Sequence, residues 1–307
     1  MMTTLETLIN DYLDFCRCQK RLDPKTLKAY RIDLRQFREQ LSVACVSQVS
    51  FEMLEDFIGT LHQRFKPKTV KRKIASLKAF FHYLEYRDVI EANPFNKIHT
   101  KFREPITLPK VIPLHTIKTF LATMYEQRER AGDDEERKKI LRDIAVIEVL
   151  FSTGMRISEL CSLRPEDVDL RDGVILISGK GAKERRIQIG SRDVLLVLRE
   201  YELKFRSEMG ECQFFFVNRA GRRLSEQSVR EMINKYCSLA AIRMHITPHM
   251  FRHSFATFLL ESDVDIRYIQ EMLGHSSINV TEIYTHVALA KQKDILRTKH
   301  PRTGFGF

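Results

Sequence analysis

"GVILISGKGAKERRIQIG", residues 173–190, decides what kind of fold this chain adopts. An apolar run, "GVILIS", and a second stretch, "RRIQIG", flank the glycine-punctuated "GKGAKE", and in the second Ile187 and Ile189 alternate with polar residues. An apolar run and an alternating stretch on either side of turn residues predict an antiparallel hairpin. Nearly everything around it has helical spacing instead. The expected fold class is therefore mainly α with a small antiparallel β-sheet. The hairpin turn also sets one cation, Lys180, between Gly179 and Gly181.

Working outward, a buried helix is expected from Ile140 to Phe151, ending at a turn at Gly154. Before it, "RERAGDDEERKK" (128–139) is nearly all charged and reads as an exposed loop or helix start. After the hairpin, helices are expected near 191–208, 225–241, 248–262 and 264–273, and from 279 onward. "KFREPITLPKVIP" (101–113) holds three prolines and little periodicity, as a linker does.

The first hundred residues read as four helices. Thr3-x-x-Glu6 suggests a capping box. Asp23-Pro24 supplies an N-cap and a first-turn proline, and a third helix is expected near Ser50. In the fourth, "PKTVKRKIASLKAFFHYLEYRD" (67–88), Ile74, Leu77, Phe80, Phe81 and Leu84 share one face. Lys68, Lys71, Arg72 and Lys78 lie opposite. Such a face is ordinary solvated surface in many proteins, but four cations without an acid suit phosphate contact.

Composition agrees. The 307 residues carry 51 Lys and Arg against 40 Asp and Glu, a net charge of +11. Residues 1–105 hold 19 Lys and Arg and 13 Asp and Glu, a net of +6, which leaves +5 for the rest. Positive charge in both parts fits a polyanionic partner gripped from two sides. No apolar run is long enough to span a membrane, and the N-terminus shows no secretion signal. Six cysteines without a C-x-x-C pair or framework spacing read as reduced thiols, so a cytoplasmic, nucleoid-associated location is expected.

Four fragments place charge where packing has no use for it. "TGMRISEL" (153–160) puts Arg156 just after Gly154, with Glu159 three residues on and able to hold the guanidinium. Alone, this is a surface ion pair. Lys180 alone is a solvated turn lysine. "TPHMFRHSFATFLL" (247–260) opens a helix at Thr247-Pro248, with His249 and Arg252 on one face and Phe251, Phe255, Phe258 and Leu259 suited to a core. His249 and His253 are four apart, which permits a zinc pair. No Glu follows His249 and no third ligand is evident, so no metal is expected. "LGHSSINVTEIYTHV" (273–287) carries His275 and Tyr284.

Together, in this order and spacing, these fragments closely resemble the tyrosine recombinase (phage integrase) family, Xer-like. Arg156 matches the Arg of its G-[LM]-R-I-S-E-L stretch, with Glu159 as acidic companion. Lys180 matches the lysine of G-K-G-x-K-x-R, His249 and Arg252 match H-x-x-R, His275 matches L-G-H, and Tyr284 matches the nucleophile of Y-T-H. "KHPR" (299–302) is similar to the tail of Xer-type recombinases.

The resemblance covers nearly the whole chain. It implies a two-domain DNA clamp: a helical core-binding (SAM-like) domain over 1–104, a linker over 105–113, a mixed α/β catalytic domain over 114–290, and a tail over 291–307 that can be exchanged between protomers. It further implies site-specific recombination through a 3′-phosphotyrosyl intermediate without a cofactor. The working unit would be a homotetramer on two double-stranded DNA core sites, with scope for an accessory or second recombinase. A type IB topoisomerase-like enzyme shares the chemistry. A non-catalytic architectural protein would not need all six residues.

The chemistry of these side chains fits that implication. A tyrosine has a pKa of about 10 and is a poor nucleophile unaided. Two guanidiniums can neutralise charge growing on the non-bridging oxygens of a phosphodiester, and Lys180 can protonate the departing 5′-oxygen.

Overall fold

The computed structural model describes residues 4–41, 43–98, 110–178 and 184–274, and divides into two compact units, Met1–Thr107 and Leu108–Phe307. In the first, α1 (Leu5–Cys18), α2 (Pro24–Leu41), α3 (Phe51–Arg64) and α4 (Pro67–Tyr86) enclose a core built on Tyr12, Leu34, Phe37, Phe57, Phe80 and Phe81. Helices α1 to α3 each start on a capping side chain, and α4 starts on Pro67 without one. Asp23 Oδ1 accepts from the Lys25 N–H at 2.7 Å, and Ser50 Oγ accepts from the Met53 N–H at 3.3 Å. Helix α1 begins one residue later than the Thr3-x-x-Glu6 spacing suggested: Thr4 is the N-cap and takes the Thr7 N–H at 3.2 Å.

Helix α4 buries the predicted apolar face. Its opposite face is less uniform than its sequence implied. Asp33, a buried residue of α2, accepts hydrogen bonds from Arg72 and from Lys73 Nζ (3.1 Å). The fold thus brings an acid to a row of cations that has none between Lys68 and Lys78.

The second unit is built around α6 (Asp134–Thr153), which packs against α5 (Leu114–Arg130), α8 (Arg192–Cys212) and α10 (Pro248–Glu261). The charged 128–139 stretch divides. Residues 128–130 finish α5, and α6 starts at Asp134, capped by Asp133, whose Oδ1 accepts from the Glu136 N–H at 2.6 Å. Ile112 is fully buried in this unit's core, and its N–H donates to Ser254 Oγ at 2.8 Å.

The short helix α7 (Ile157–Leu160) precedes a three-stranded antiparallel sheet in the order β1-β2-β3. The predicted hairpin is β2 (Val174–Ser178) with β3 (Glu184–Gln188), in a register that sets Ile175 opposite Ile187 and Ile177 opposite Arg185. Strand β1 (Val168–Asp169) adds two residues at the edge of β2. Helices α9 (Glu226–Leu239), α10 and α11 (Ile266–Leu273) complete the unit. Helices α6 and α11 both end on a left-handed glycine, Gly154 (φ +60°) and Gly274 (φ +64°). Among the described residues no helix is long and apolar enough to cross a membrane.

Candidate active site

Gly154 starts the site. A Cβ there would lie 2.6 Å from Phe255 Cδ1, so the close approach of the α6 end to α10 requires glycine as much as the positive φ does. The turn presents the Gly154 carbonyl to Arg252, whose Nη1 donates to it at 2.9 Å. Two residues on, Arg156 occupies the N-cap of α7, and Glu159 reaches back to it. The Arg156 N–H donates to Glu159 Oε2 and its Nη1 to Oε1, both at 2.8 Å. The predicted companionship of Arg156 and Glu159 is therefore present. It is not a surface pair, because the Glu159 side chain is 7% exposed while Arg156 retains 38%.

A residue not singled out from sequence completes this arrangement. Arg185, on β3, donates from Nη1 to Glu159 Oε1 (3.1 Å), from Nη2 to Oε2 (2.7 Å) and from Nε to the Met272 carbonyl (2.9 Å). Burial by itself raises the Glu159 pKa. The hydrogen bonds from Arg185 and from the Arg156 backbone and side chain outweigh it and hold the carboxyl at about 2. A signal for Arg185 was available. Strand alternation sets it on the same side as Ile187 and Ile189, and a charge on the core-facing side of a strand needs a partner.

Arg252 is buried, and its fork spans two chain ends: Nη1 to Gly154 C=O, and Nη2 to Leu273 C=O at 2.7 Å. One guanidinium thus joins the end of α6 to the end of α11. His249, one turn earlier on α10, is exposed, yet the protein around its ring lowers its pKa below the usual 6.5, with Arg252, Arg230 and Arg156 acting in the same direction. Arg156, Arg252 and His249 therefore occupy one neighbourhood. Arg230, on α9 and ion-paired with Glu226 at 3.0 Å, is a third cation near that imidazole, one that sequence reading did not name. Thr247 occupies the N-cap of α10, but its side chain makes no capping hydrogen bond.

Lys180, His275 and Tyr284 lie outside the described residues. The other tyrosines of this unit narrow the choice of nucleophile nevertheless. Tyr236 is fully buried and its Oη donates to Asp143 Oδ2 at 3.1 Å; burial, then Asp143, push its pKa far up. Tyr201 donates to the Phe215 carbonyl and Tyr125 to Glu148 Oε1, each at 2.9 Å. Only Tyr268, exposed on α11, presents an accessible phenol among the described tyrosines of the unit. His253 is partly buried with no partner for Nδ1, and no group of three His, Cys, Asp or Glu among the described residues is arranged to hold a metal.

Residues 117–291 match the phage integrase family, and residues 9–88 match the phage integrase N-terminal SAM-like domain. The chain is 59% identical over 306 residues to a tyrosine recombinase of Agathobacter rectalis, covering both chains completely. It is 35% identical over 306 residues to tyrosine recombinase XerD of Listeria innocua, covering 97% of this chain and 100% of that one. The crystal structure of XerH site-specific recombinase in its post-cleavage complex with palindromic difH substrate superposes with a TM-score of 0.74 at 23% identity. That match covers 96% of this chain and 84% of the other, and it shows the fold. With both of its units matched and a relative identical at more than half of all positions, the chain belongs to the phage integrase family of tyrosine recombinases, enzymes that cleave and rejoin DNA in site-specific recombination.

Proposed function

We propose that Tyr284 is the nucleophile and that the cluster around Arg156 and Arg252 is the phosphate site. The Tyr284 oxygen attacks the scissile phosphorus, the bond from phosphorus to the 5′-oxygen breaks, and the chain is left esterified to the 3′-phosphate. Lys180 supplies the proton that the 5′-oxygen needs to leave. His249 takes the tyrosine proton, a role suited to an imidazole whose depressed pKa keeps it neutral at pH 7. Arg156 and Arg252 neutralise the non-bridging oxygens, and His275 donates a further hydrogen bond to them. The phosphotyrosyl ester conserves bond energy, so religation to a new 5′-hydroxyl proceeds without ATP, and fixed guanidiniums stand where other phosphoryl-transfer sites use a metal.

The observation that carries this reading is the state of Arg156: it is held by a carboxylate buried to 7% exposure, yet itself remains 38% exposed. A guanidinium oriented that firmly and still open to solvent is prepared for an anion from outside.

In this reading residues 1–104 bind the duplex core site, with Lys68, Lys71, Arg72 and Lys78 toward the backbone, and residues 114–290 carry the chemistry. A homotetramer on two sites exchanges strands in the cytoplasm, with the 291–307 tails passed between protomers. The test is a suicide duplex that traps the covalent adduct. Tyr284→Phe should bind this DNA as the wild type does and form no denaturant-resistant adduct. An adduct that survives in Tyr284→Phe and disappears in Tyr268→Phe would transfer the role to Tyr268.

A further inference from the structure

All three nitrogens of Arg185 are committed inside the protein, and to two separate places. Two hold the Glu159 carboxylate and the third holds the Met272 carbonyl in the last turn of α11. The side chain is 11% exposed. Its partners are the ones that matter for the site. Glu159 is the sole carboxylate bonded to Arg156 among the described residues, and Met272 lies three positions before His275. Carbonyls in the last turn of a helix have no partner within it, so the two guanidiniums that reach Met272 and Leu273 settle where that end docks. The fit is close: a Cβ on Gly274 would stand 3.0 Å from both Cδ and Nη1 of Arg185.

We infer that Arg185 is a positioning residue that makes the aim of Arg156 depend on the docking of the C-terminal end of α11 against β3. It does not touch DNA. It fixes the carboxylate that fixes Arg156, and it does so with a planar fork whose Nε–H is tied to α11. Glu159 alone is a rotatable side chain. With both oxygens bridged to Arg185 its plane is set, and with it the direction in which Nη1 of Arg156 is pulled. Because the same guanidinium bonds both segments, loosening α11 loosens the clamp. A lysine in this place offers a point charge that reaches one partner or the other, not both.

The inference rests on Arg156 acting on the phosphate, and one experiment separates the two. Single-turnover cleavage by the full chain is measured at saturating protein on a suicide duplex. A second duplex carries a methyl group in place of one non-bridging oxygen of the scissile phosphate, so that less charge has to be neutralised. On the ordinary duplex, Arg156→Ala should be slower by roughly 10²–10³-fold, the usual cost of one such donor. Arg185→Gln should be slower by about 10–100-fold, as outer partners of catalytic groups are, with DNA affinity within threefold of wild type. Arg185→Lys serves as the milder variant if melting shows Arg185→Gln to be poorly folded. On the methylated duplex both losses should shrink together. If the Arg156 loss shrinks and the Arg185 loss does not, Arg185 is merely structural and the inference falls while the phosphate reading stands. If the Arg156 loss itself does not shrink, the phosphate reading falls and takes the inference with it. Arg185 variants that cleave the ordinary duplex within threefold of wild type would overturn it directly.

Discussion

Asp33 in the helical unit and Glu159 in the catalytic unit are both buried carboxylates held by two cations, one inside and one open to solvent, and the molecule ties the inner cation to different things. Asp33 faces Arg72 and the buried Lys73, and Lys73 also donates to Gln36 and lies 4.8 Å above the Phe65 ring. Lys73 turns inward while Arg72 stays 44% exposed, and the result is a fixed meeting of α2 with α4 that still leaves one guanidinium at the surface. Glu159 draws Arg185 inward and leaves Arg156 outward. A buried ion pair adds little net stability once desolvation is counted, so what such a cluster provides is geometry. In one unit that geometry joins helices; in the other it aims a charge.

The largest effect expected from this contrast is on stability. Asp33→Ala leaves Lys73 buried without its counter-ion, which should cost about 3–5 kcal/mol. The double replacement Asp33→Leu with Lys73→Met removes both charges and should cost clearly less. Urea unfolding of the full chain, followed by a probe placed in the helical unit, measures both. A single variant that loses under about 1 kcal/mol would show that Lys73 finds water or another acceptor, and Asp33 would then not be what holds α2 to α4.

Next comes the catalytic arm. Arg156→Ala should lower cleavage by roughly 10²–10³-fold, about 2.7–4 kcal/mol of barrier, while its melting temperature stays near that of wild type because the exposed member of the cluster is the one removed. Arg72→Ala, which also removes the exposed member of its cluster, should likewise melt near wild type but should retain the cleavage rate at saturating DNA. If Arg156→Ala destabilises the fold as Asp33→Ala does, then Arg156 is a structural ligand of Glu159 and the contrast dissolves.

Much of both clusters was legible in the sequence, and what was hidden has a physical pattern. Arg156 and Glu159 are three apart, so local spacing announces them. Arg72 and Asp33 are 39 apart and Arg185 and Glu159 are 26 apart, and pairs at that separation exist only once the chain has folded. The same limit explains the row on α4, which has no acid between Lys68 and Lys78 but meets one from α2. The β2–β3 hairpin was readable because its apolar run and its alternating strand flank turn residues, whereas the two residues of β1 carry no period. The start of α6 could be read only as a loop or a helix start, because its first turns are solvated and show the charges of a loop. In the site, His249 and Arg252 could be placed by their helix. The anchoring of Arg252 to Gly154 and Leu273 joins segments far apart in the chain and could not.

A pH profile sharpens the comparison further, with an effect of up to tenfold per unit. Glu159 ionises near pH 2. A carboxyl depressed in the folded state contributes its stabilisation above the ordinary value of 4.5 and loses it as pH falls through 2, so this cluster is constant across any working buffer. His249 is depressed below 6.5. Its neutral form, the one able to accept the tyrosine proton, persists above that value and is lost only as pH drops through the lower folded pKa. Cleavage should therefore be flat from pH 7 upward until other groups titrate, and fall on an acid limb whose midpoint lies below 6.5. His249→Gln should lower the plateau and remove the limb. A limb centred above 6.5, or one unchanged in His249→Gln, would assign the proton transfer to another group.

The smallest expected effect tests the row on α4 directly. Removing one cation that pairs with a DNA phosphate flattens the logarithmic dependence of DNA affinity on salt by about 0.9. Lys68, Lys71 and Lys78 replaced together by Gln should reduce that slope by up to three such steps. Arg72→Gln should reduce it by less than one, because Asp33 already compensates part of the charge that Arg72 would bring to a phosphate. Titrations over a range of salt concentrations on a core-site duplex measure these variants on one scale. If Arg72→Gln costs a full step, the ion pair opens on binding and Asp33 is a holder that releases its cation to DNA, which would make the helical unit's cluster resemble the catalytic one after all. If the triple variant leaves the slope unchanged, the row is solvated surface and the grip of this unit lies elsewhere.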